Sequence, residues 1–166
     1  MKTPLPPLNA CTHFDSPLGP MTLAASSQGL CGVWFDGQKH QPDTSALPRD
    51  ASHPVLLQAQ AQLSAYFAGQ RSVFDVPLDL CQGTEFQQGV WRALLDIAPG
   101  ATSTYGAMAR FVERPLAVRA VAAAIGRNPI SIIVPCHRVL GVGGALTGYA
   151  GGLDRKAALL QLESTV

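Results

Sequence analysis

Short apolar runs separated by turn residues fill the first third of the chain, a pattern that predicts strands. Two of them flank the turn signal Ser-Pro-Leu-Gly-Pro in CTHFDSPLGPMTLAAS, and LCGVWFDG follows as a third. The periodicity changes to that of a helix in VLLQAQAQLSAYFAG, which Gly69 ends. The helix places its apolar side chains on one face: Leu56, Ala59, Leu63, Tyr66 and Phe67. We therefore expect a small antiparallel sheet with one helix.

Helical spacing dominates the second half of the chain. Thr84 and Gln87 have the spacing of a capping box at the start of a helix. Phe86, Val90 and Leu94 then recur every four residues. The pattern predicts an amphipathic helix.

Two further short helices are predicted after it. TSTYGAMARFVE would be capped by Ser103 or Thr104. LAVRAVAAAIGR has Pro115 in its first turn and ends at Asn128-Pro129. Such a pair suggests a helix-turn-helix. The second helix is nearly all alanine and valine around Arg119, whereas a recognition helix normally offers several polar side chains, so a buried core helix is the alternative.

The remaining segments complete the predicted fold. ISIIV predicts a short buried strand that leads into Pro-Cys-His-Arg, GVGGALTGYAGG predicts a glycine-rich hairpin or loop, and Asp154 can cap a last helix over RKAALLQLE. We expect an α/β N-terminal domain at residues 1–82, with a small antiparallel sheet plus a helix. A mainly α C-terminal domain would follow at residues 83–166, with a helix-turn-helix and a short strand or hairpin at Cys136.

Charge is unevenly distributed, although the net charge is only +1. Residues 1–84 carry four Lys and Arg against six Asp and Glu, whereas residues 85–166 carry eight against five. Seven of those eight are arginines, which make forked contacts with phosphates and base edges. The second half therefore gives a mild indication of nucleic-acid binding, with an ordinary arginine-bearing surface as the alternative.

The sequence shows no sign of a membrane or secreted protein. It has no apolar run of about 18 residues, and its start, MKTPLPPLNA, lacks the apolar region of a signal peptide. We expect a cytoplasmic protein. In that compartment the four cysteines, at positions 11, 31, 81 and 136, would stay mostly reduced.

Cys136 has neighbours that distinguish it from the other cysteines. A lone cysteine in an apolar run is more often a small buried hydrophobe. Pro135, however, bends the end of the strand, which lets residues 136 and 137 face one site. His137 can accept the thiol proton, and Arg138 adds positive potential that favours the thiolate. Glu163 is a candidate to orient His137, so Cys136 is a candidate nucleophile.

Metal binding is another interpretation of the cysteines. Cys11 and Cys31 could form a tetrahedral site with His13, His40 or Cys81. The sequence contains neither a Cys-x-x-Cys nor a His-x-x-x-His pair, so we expect no metal.

The motifs of the second half, taken in order, resemble the O6-alkylguanine-DNA alkyltransferases, also called methylated-DNA–protein-cysteine methyltransferases. They run from Gly83 to Glu163 and comprise GTEFQQGVW, TYGAMA, RAV, GRNP, IIVPCHRV, LTGYAGG and the Lys-x-x-Leu-Leu of the last helix. The order around Pro-Cys-His-Arg-Val makes the match specific. SPLGP-x-TLAA and AYFAG add a less diagnostic match to the family's small α/β domain.

The resemblance implies a repair reaction on double-stranded DNA that contains alkylated bases. The substrate would be O6-methylguanine and, less efficiently, O4-methylthymine. A duplex hides the O6 substituent, so the base must be flipped out. The methyl group would pass irreversibly to Cys136, once per molecule. The protein would act as a monomer without a cofactor.

The resemblance also implies roles for residues that act on the DNA and on the methyl group. Cys136 would be the methyl acceptor, His137 its water-mediated base and Glu163 the group that orients the base. Tyr105 would crowd the 3′ phosphate and donate to guanine N3. Arg119 would fill the space left by the flipped base as its helix enters the minor groove. The small residues on the DNA-facing side of that helix are Ala117, Ala120, Ala122 and Ala123.

Four residues are implied to form or support the base pocket. Asn128 would link the helix-turn-helix to the active-site loop, and Tyr149 would hydrogen-bond the O6 oxygen. Val139 and Ala150 would read the base edge through their backbone groups.

Two other functions stay open on the sequence. A non-catalytic damage sensor could use the same helix-turn-helix, and the bulk that Val118 and Ala122 add relative to the family would favour it. A cysteine hydrolase that uses Cys136 and His137 would leave the DNA-facing features unexplained. Such enzymes also usually draw their histidine from a distant position.

Overall fold

The computed structural model describes residues 9–165 and confirms the predicted sheet. Residues 1–8 and residue 166 lie outside the described residues. The expectation of no signal peptide depends on residues 1–8 and is therefore not tested. Strands β1 (Ala10–Ser16), β2 (Gly19–Ala25) and β3 (Leu30–Phe35) form an antiparallel sheet in the order β1-β2-β3. The turn at Ser-Pro-Leu-Gly joins the first two strands, with Ser16 opposite Gly19.

Helix α1 (Pro54–Phe67) packs its predicted apolar face against this sheet. Leu56, Ala59, Leu63 and Tyr66 are buried, whereas Phe67 is only half-buried. Gly69, with φ +74°, follows in the left-handed conformation that glycine adopts without steric cost.

Helix α2 (Glu85–Leu94) begins with the predicted capping box. The Gln87 backbone N–H donates to Thr84 Oγ1 at 3.1 Å, and the Thr84 N–H donates to Gln87 Oε1 at 3.0 Å. Trp91 on its buried face donates from Nε1 to the carbonyl of Ala124 at 2.8 Å. This bond fixes α2 against the alanine-rich helix.

The predicted pair of short helices is present as α3 (Tyr105–Phe111) and α4 (Val118–Gly126). Thr104 caps α3 by accepting a hydrogen bond from the Ala107 N–H at 3.1 Å. The placement of Pro115 in the first turn of α4 was wrong. Residues 114–117 form a separate turn, closed by the Ala117 N–H donating to the Arg114 carbonyl, and α4 starts after Ala117 without a side-chain cap.

The segment ISIIV is buried as predicted, but it is not a strand. The chain curls around the side chain of Asn128, which donates to the carbonyl of Val134 at 2.7 Å and accepts from the N–H of Ile130 at 3.0 Å. Ile132 takes a left-handed φ of +71°, which breaks any extended run. The short strand in this region is instead β5 (Val139–Leu140), parallel to β4 (Ser103–Thr104).

Helix α5 (Leu153–Ser164) closes the described chain. It begins after Gly152, so the prediction that Asp154 caps it was wrong, and Asp154 lies within its first turn instead. No helix among residues 9–165 is both long and apolar enough to cross a membrane.

One continuous core joins the two halves of the described chain. It includes Leu23 and Leu63 from the sheet and α1 together with Val121 and Cys136 from the second half. Strand β3 also bridges directly to the second half, where Val33 pairs with Ile130. The division into units at residues 82 and 83 stays a prediction.

Candidate active site

Cys136 lies on a tight turn, Cys136–Arg138, between Pro135 and β5. Its side chain is 7% exposed and faces a cavity of about 400 Å³. The cavity wall brings together sequence-predicted residues from four segments of the chain: Tyr105, Ala122, Cys136, Tyr149 and Ala150. Arg119 is not among the residues that line it.

His137, which follows Cys136 directly in the chain, forms the predicted pair with Glu163. His137 Nε2 lies 2.7 Å from Glu163 Oε1, and both residues are buried, at 0% and 3% exposure. Burial would raise the pKa of Glu163, but hydrogen bonds from His137 and Arg138 lower it from 4.5 to about 2. The carboxylate is therefore ionised at neutral pH and can only accept hydrogen bonds.

The tautomer of His137 follows from that carboxylate. Nε2 must carry the hydrogen that Glu163 accepts, and burial lowers the pKa of the imidazole, which keeps it neutral. Nδ1 then has a free lone pair, and this buried atom has no hydrogen-bond partner within the described part of the chain. A neutral imidazole with one committed and one free nitrogen can act as a base.

The side chain of Arg138 is not directed at Cys136, whose thiolate it was predicted to favour. It donates from Nε to Glu163 Oε2 at 2.9 Å and from Nη2 to Oε1 at 2.8 Å, while Nη1 donates to the Ile97 carbonyl at 2.6 Å. Its charge is thus committed to the buried carboxylate. This forked geometry suits a carboxylate partner better than a thiolate.

Lys156 is the cation near the thiol, and sequence reasoning missed it. This buried lysine on α5 donates from Nζ to the carbonyls of Val139 at 2.6 Å and Thr147 at 2.8 Å. Burial raises the pKa of Cys136, whereas the Asn128 side chain and the charge of Lys156 oppose that rise. The Lys-x-x-Leu-Leu motif of the family resemblance pointed to Lys156, but a lysine on a helix normally lies at the surface, so no role was predicted for it.

The two predicted tyrosines occupy different parts of the cavity. Tyr105, the first residue of α3, donates from Oη to the Thr147 carbonyl at 3.1 Å. Tyr149 is half-buried, but its Oη is fully buried and makes no hydrogen bond of good geometry among residues 9–165, although the Ser131 side chain is close enough to lower its pKa. Burial raises the pKa of Tyr149 well above its ordinary value, so its hydroxyl keeps its proton at neutral pH and can donate a hydrogen bond.

Of the other predicted pocket residues, Ala150 lines the cavity, whereas Asn128 and Val139 do not line it and contact segments next to it. Asn128 links the end of α4 to the segment before Cys136 through its bonds to residues 130 and 134. The Val139 carbonyl accepts from Lys156, and the Ala150 carbonyl accepts from the Lys39 N–H at 3.2 Å. The Ala150 carbonyl retains a second lone pair for another donor.

Helix α4 is not the buried core helix that the sequence left open. Val121, Ala124 and Ile125 are buried, but Arg119, Ala120 and Ala123 are exposed on the other side. Ala117 is half-buried before the helix, and Ala122 lines the cavity that contains Cys136. The exposed small-residue face and the thiol pocket are therefore adjacent.

The possible metal site has no structural counterpart in the described residues. Among residues 9–165, no three His, Cys, Asp or Glu side chains are grouped so that they could hold a metal ion. Cys11 and Cys31 are buried near Ala24 and Trp34 in a small apolar cluster.

A buried cysteine is followed by a histidine that pairs with a buried carboxylate, and the cysteine shares its cavity with an exposed helix of a helix-turn-helix. This combination is typical of a DNA-binding protein with a cysteine nucleophile. Comparison with known proteins agrees. The 6-O-methylguanine DNA methyltransferase DNA binding domain matches residues 85–165, and the ribonuclease-like domain of the same methyltransferase matches residues 9–80. The chain belongs to the 6-O-methylguanine DNA methyltransferase family.

Individual relatives match over nearly the whole chain. The methylated-DNA–protein-cysteine methyltransferase of Mycobacterium leprae is 49% identical over 154 residues, which cover 92% of this chain and 91% of the relative. That of Methanosarcina acetivorans is 48% identical, with coverage of 92% and 96%. The crystal structure of Mycobacterium tuberculosis OGT in complex with DNA matches with a TM-score of 0.86 and 47% identity, over 94% of this chain and 93% of that one.

Proposed function

We propose that this protein repairs DNA by transferring the methyl group of O6-methylguanine to Sγ of its own Cys136. The relatives named methylated-DNA–protein-cysteine methyltransferase support the reaction. The observation that carries it is the position of the thiol, which faces a cavity rimmed by the exposed helix α4. O4-methylthymine is proposed as a less efficient substrate.

The DNA would be bound through the exposed face of α4 in the minor groove, by a single protein molecule. Small side chains at Ala120 and Ala123 let the helix approach closely, and Arg119 projects from its first turn. Because nothing on this face reads a sequence of bases, the protein would find damage instead. Flipping costs a few kcal/mol in a duplex and brings the base into the cavity.

The transfer step uses the groups around the cavity in order. His137 Nδ1 takes the thiol proton, directly or through a water, while Glu163 holds Nε2–H. The thiolate attacks the methyl carbon in line, the S–C bond forms and the bond from that carbon to O6 breaks. The electron pair goes to O6, and Tyr149 supplies a hydrogen bond to the departing guanine. The guanine anion takes up one proton at N1 through water, and His137 releases the proton that it took from the thiol.

The product limits the protein to one turnover. S-methylcysteine is a thioether that no group in the cavity can cleave, so each molecule would react once. The reaction needs no cofactor, because the methyl group and the nucleophile are both present. We also propose a cytoplasmic location.

The direct test is repair by variants at two cysteines. Nucleoside analysis of a duplex with one O6-methylguanine should show one equivalent of guanine restored by the wild-type protein. Cys136→Ser should restore none while still binding the duplex. Cys81→Ser is the matched control, because Cys81 is exposed and outside the cavity, and it should repair normally. Repair by Cys136→Ser would overturn the proposal.

A further inference from the structure

Tyr66 reaches the proposed active site from the opposite half of the chain. It lies near the end of α1, is 2% exposed and packs its ring near Phe67 and Phe74, at centroid distances of 5.3 and 5.5 Å. Its Oη donates to Glu163 Oε1 at 2.9 Å, across 97 residues of sequence.

The hydroxyl is not needed for the packing of α1. The apolar face of the helix requires only a large hydrophobic residue at this position, and a phenylalanine would fill the same space. A buried hydroxyl costs free energy unless it has a partner. The partner of Tyr66 is Glu163, the residue that holds His137.

Tyr66 is one of three donors to the same Glu163 oxygen. Oε1 accepts from Tyr66, His137 and Arg138, and Oε2 accepts from the Nε of Arg138. Two donors on Arg138 fix the plane of the carboxylate. Tyr66 donates to Oε1 from α1. The oxygen that contacts His137 is therefore also held by Tyr66 and Arg138.

We infer that Tyr66 is a positioning residue for methyl transfer: its hydroxyl fixes Glu163, and through Glu163 the ring of His137. The sheet-and-helix half of the chain thereby contributes a group to the chemistry and not only to packing. This inference rests on the proposed function and adds to it a residue outside the DNA-binding half.

The inference gives a definite direction for the pH dependence. The ionisable groups that act on His137 are Glu163, Arg138 and Lys156, and Tyr66 acts through Glu163. Without the Tyr66 hydroxyl, the carboxylate charge is less neutralised and attracts the imidazolium form more strongly. His137 would then be protonated at higher pH and would lose its function as a base there.

The test is the single-turnover kinetics of Tyr66→Phe against pH, with a duplex that contains one O6-methylguanine. We expect the rate constant to fall roughly tenfold. This is the smaller end of the loss seen when a group that orients a metal-binding histidine is removed. We expect the acid limb of the pH profile to move upward and the amplitude to stay at one methyl per protein. Thr22→Val is the matched control. Thr22 is 3% exposed and donates to Asp36 Oδ1 at 2.7 Å, away from the cavity.

Several results would overturn the inference. An unchanged rate constant and pH profile would mean that the hydroxyl only satisfies its own hydrogen bond. A lower amplitude or melting temperature at an unchanged rate constant would assign Tyr66 to stability alone. The same slowing in Thr22→Val would assign it to a general loosening of the sheet half.

A second assay separates this inference from the proposed function. Iodomethane methylates a thiolate with loss of iodide and needs no DNA, and peptide mass spectrometry reports the rate at Cys136. Slower methylation of Tyr66→Phe, with the same shift of the acid limb, would support the positioning role even if the wild-type protein failed to repair the duplex. Equal rates in the two proteins would overturn it.

Discussion

Replacing Glu163 with glutamine tests how much the buried network stabilises the protein. Glutamine has nearly the same shape but no charge, so Arg138 would be left buried without a counter-charge. Removing one partner of a buried ion pair costs about 3–5 kcal/mol. At about 2–4 °C per kcal/mol for a chain of this size, the melting temperature should fall by about 6–20 °C.

The pKa of Glu163 gives a second magnitude for the same network. The difference between its ordinary pKa of 4.5 and its folded value of about 2 corresponds to about 3 kcal/mol at neutral pH. Because the folded pKa is the lower one, this contribution is complete above pH 4.5. It is lost as the pH falls towards 2. The two magnitudes agree.

Urea unfolding of both proteins at pH 7, 4.5 and 3 provides the assay. The stability gap between wild type and Glu163→Gln should be about 3–5 kcal/mol at pH 7 and should narrow at the lowest pH. Glu113→Gln, at an exposed turn position, is the control and should change stability by less than about 0.5 kcal/mol. A gap below 1 kcal/mol at pH 7, or one that stays constant with pH, would refute the reasoning.

Three further predictions concern the loop, the helix and the spent protein. Asn128→Ala leaves backbone groups around Cys136 unpaired and should lower the free energy of unfolding by about 2–4 kcal/mol in urea titrations; a loss under 1 kcal/mol would contradict this. Arg119→Ala should slow transfer about tenfold in single-turnover assays without changing the melting temperature, and unchanged transfer would refute its role. Although Cys136 faces the cavity, it is only 7% exposed, so a methyl group on Sγ should crowd the buried residues beside it, and calorimetry should show a melting temperature about 2–12 °C lower; an unchanged or higher one would contradict this.

Local signals in the sequence predicted the elements well. The capping box at Thr84 and Gln87 depends on two residues three positions apart, and the structure forms it as expected. The apolar face of α1 follows directly from its helical period, and the three strands follow from their turn residues. The pairing of His137 with Glu163 was predicted from chemical need and the family resemblance, because spacing alone does not imply it.

The wrong or missing predictions have two causes. Side chains compete for the hydrogen bonds of nearby groups, and some contacts join residues that are far apart in the sequence. ISIIV has the composition of a strand, but the Asn128 amide takes its backbone hydrogen bonds and curls the segment. Arg138 is adjacent to the thiol in sequence, yet its side chain turns to Glu163 because a forked pair with a buried carboxylate is more favourable. In the sequence, Lys156 has the features of a surface lysine and Tyr66 those of a core aromatic. Their contacts with Val139 and Glu163 form only when distant segments of the chain come together.

Peptide mass spectrometry after reaction with a short duplex containing one O6-methylguanine tests the central claim most directly. The account predicts that the peptide holding Cys136 gains one methyl group, at no more than one per protein, and that no other peptide changes. An unmodified Cys136 peptide from protein that has bound the duplex would contradict it, and the cavity would then be a lesion-binding pocket without a working nucleophile.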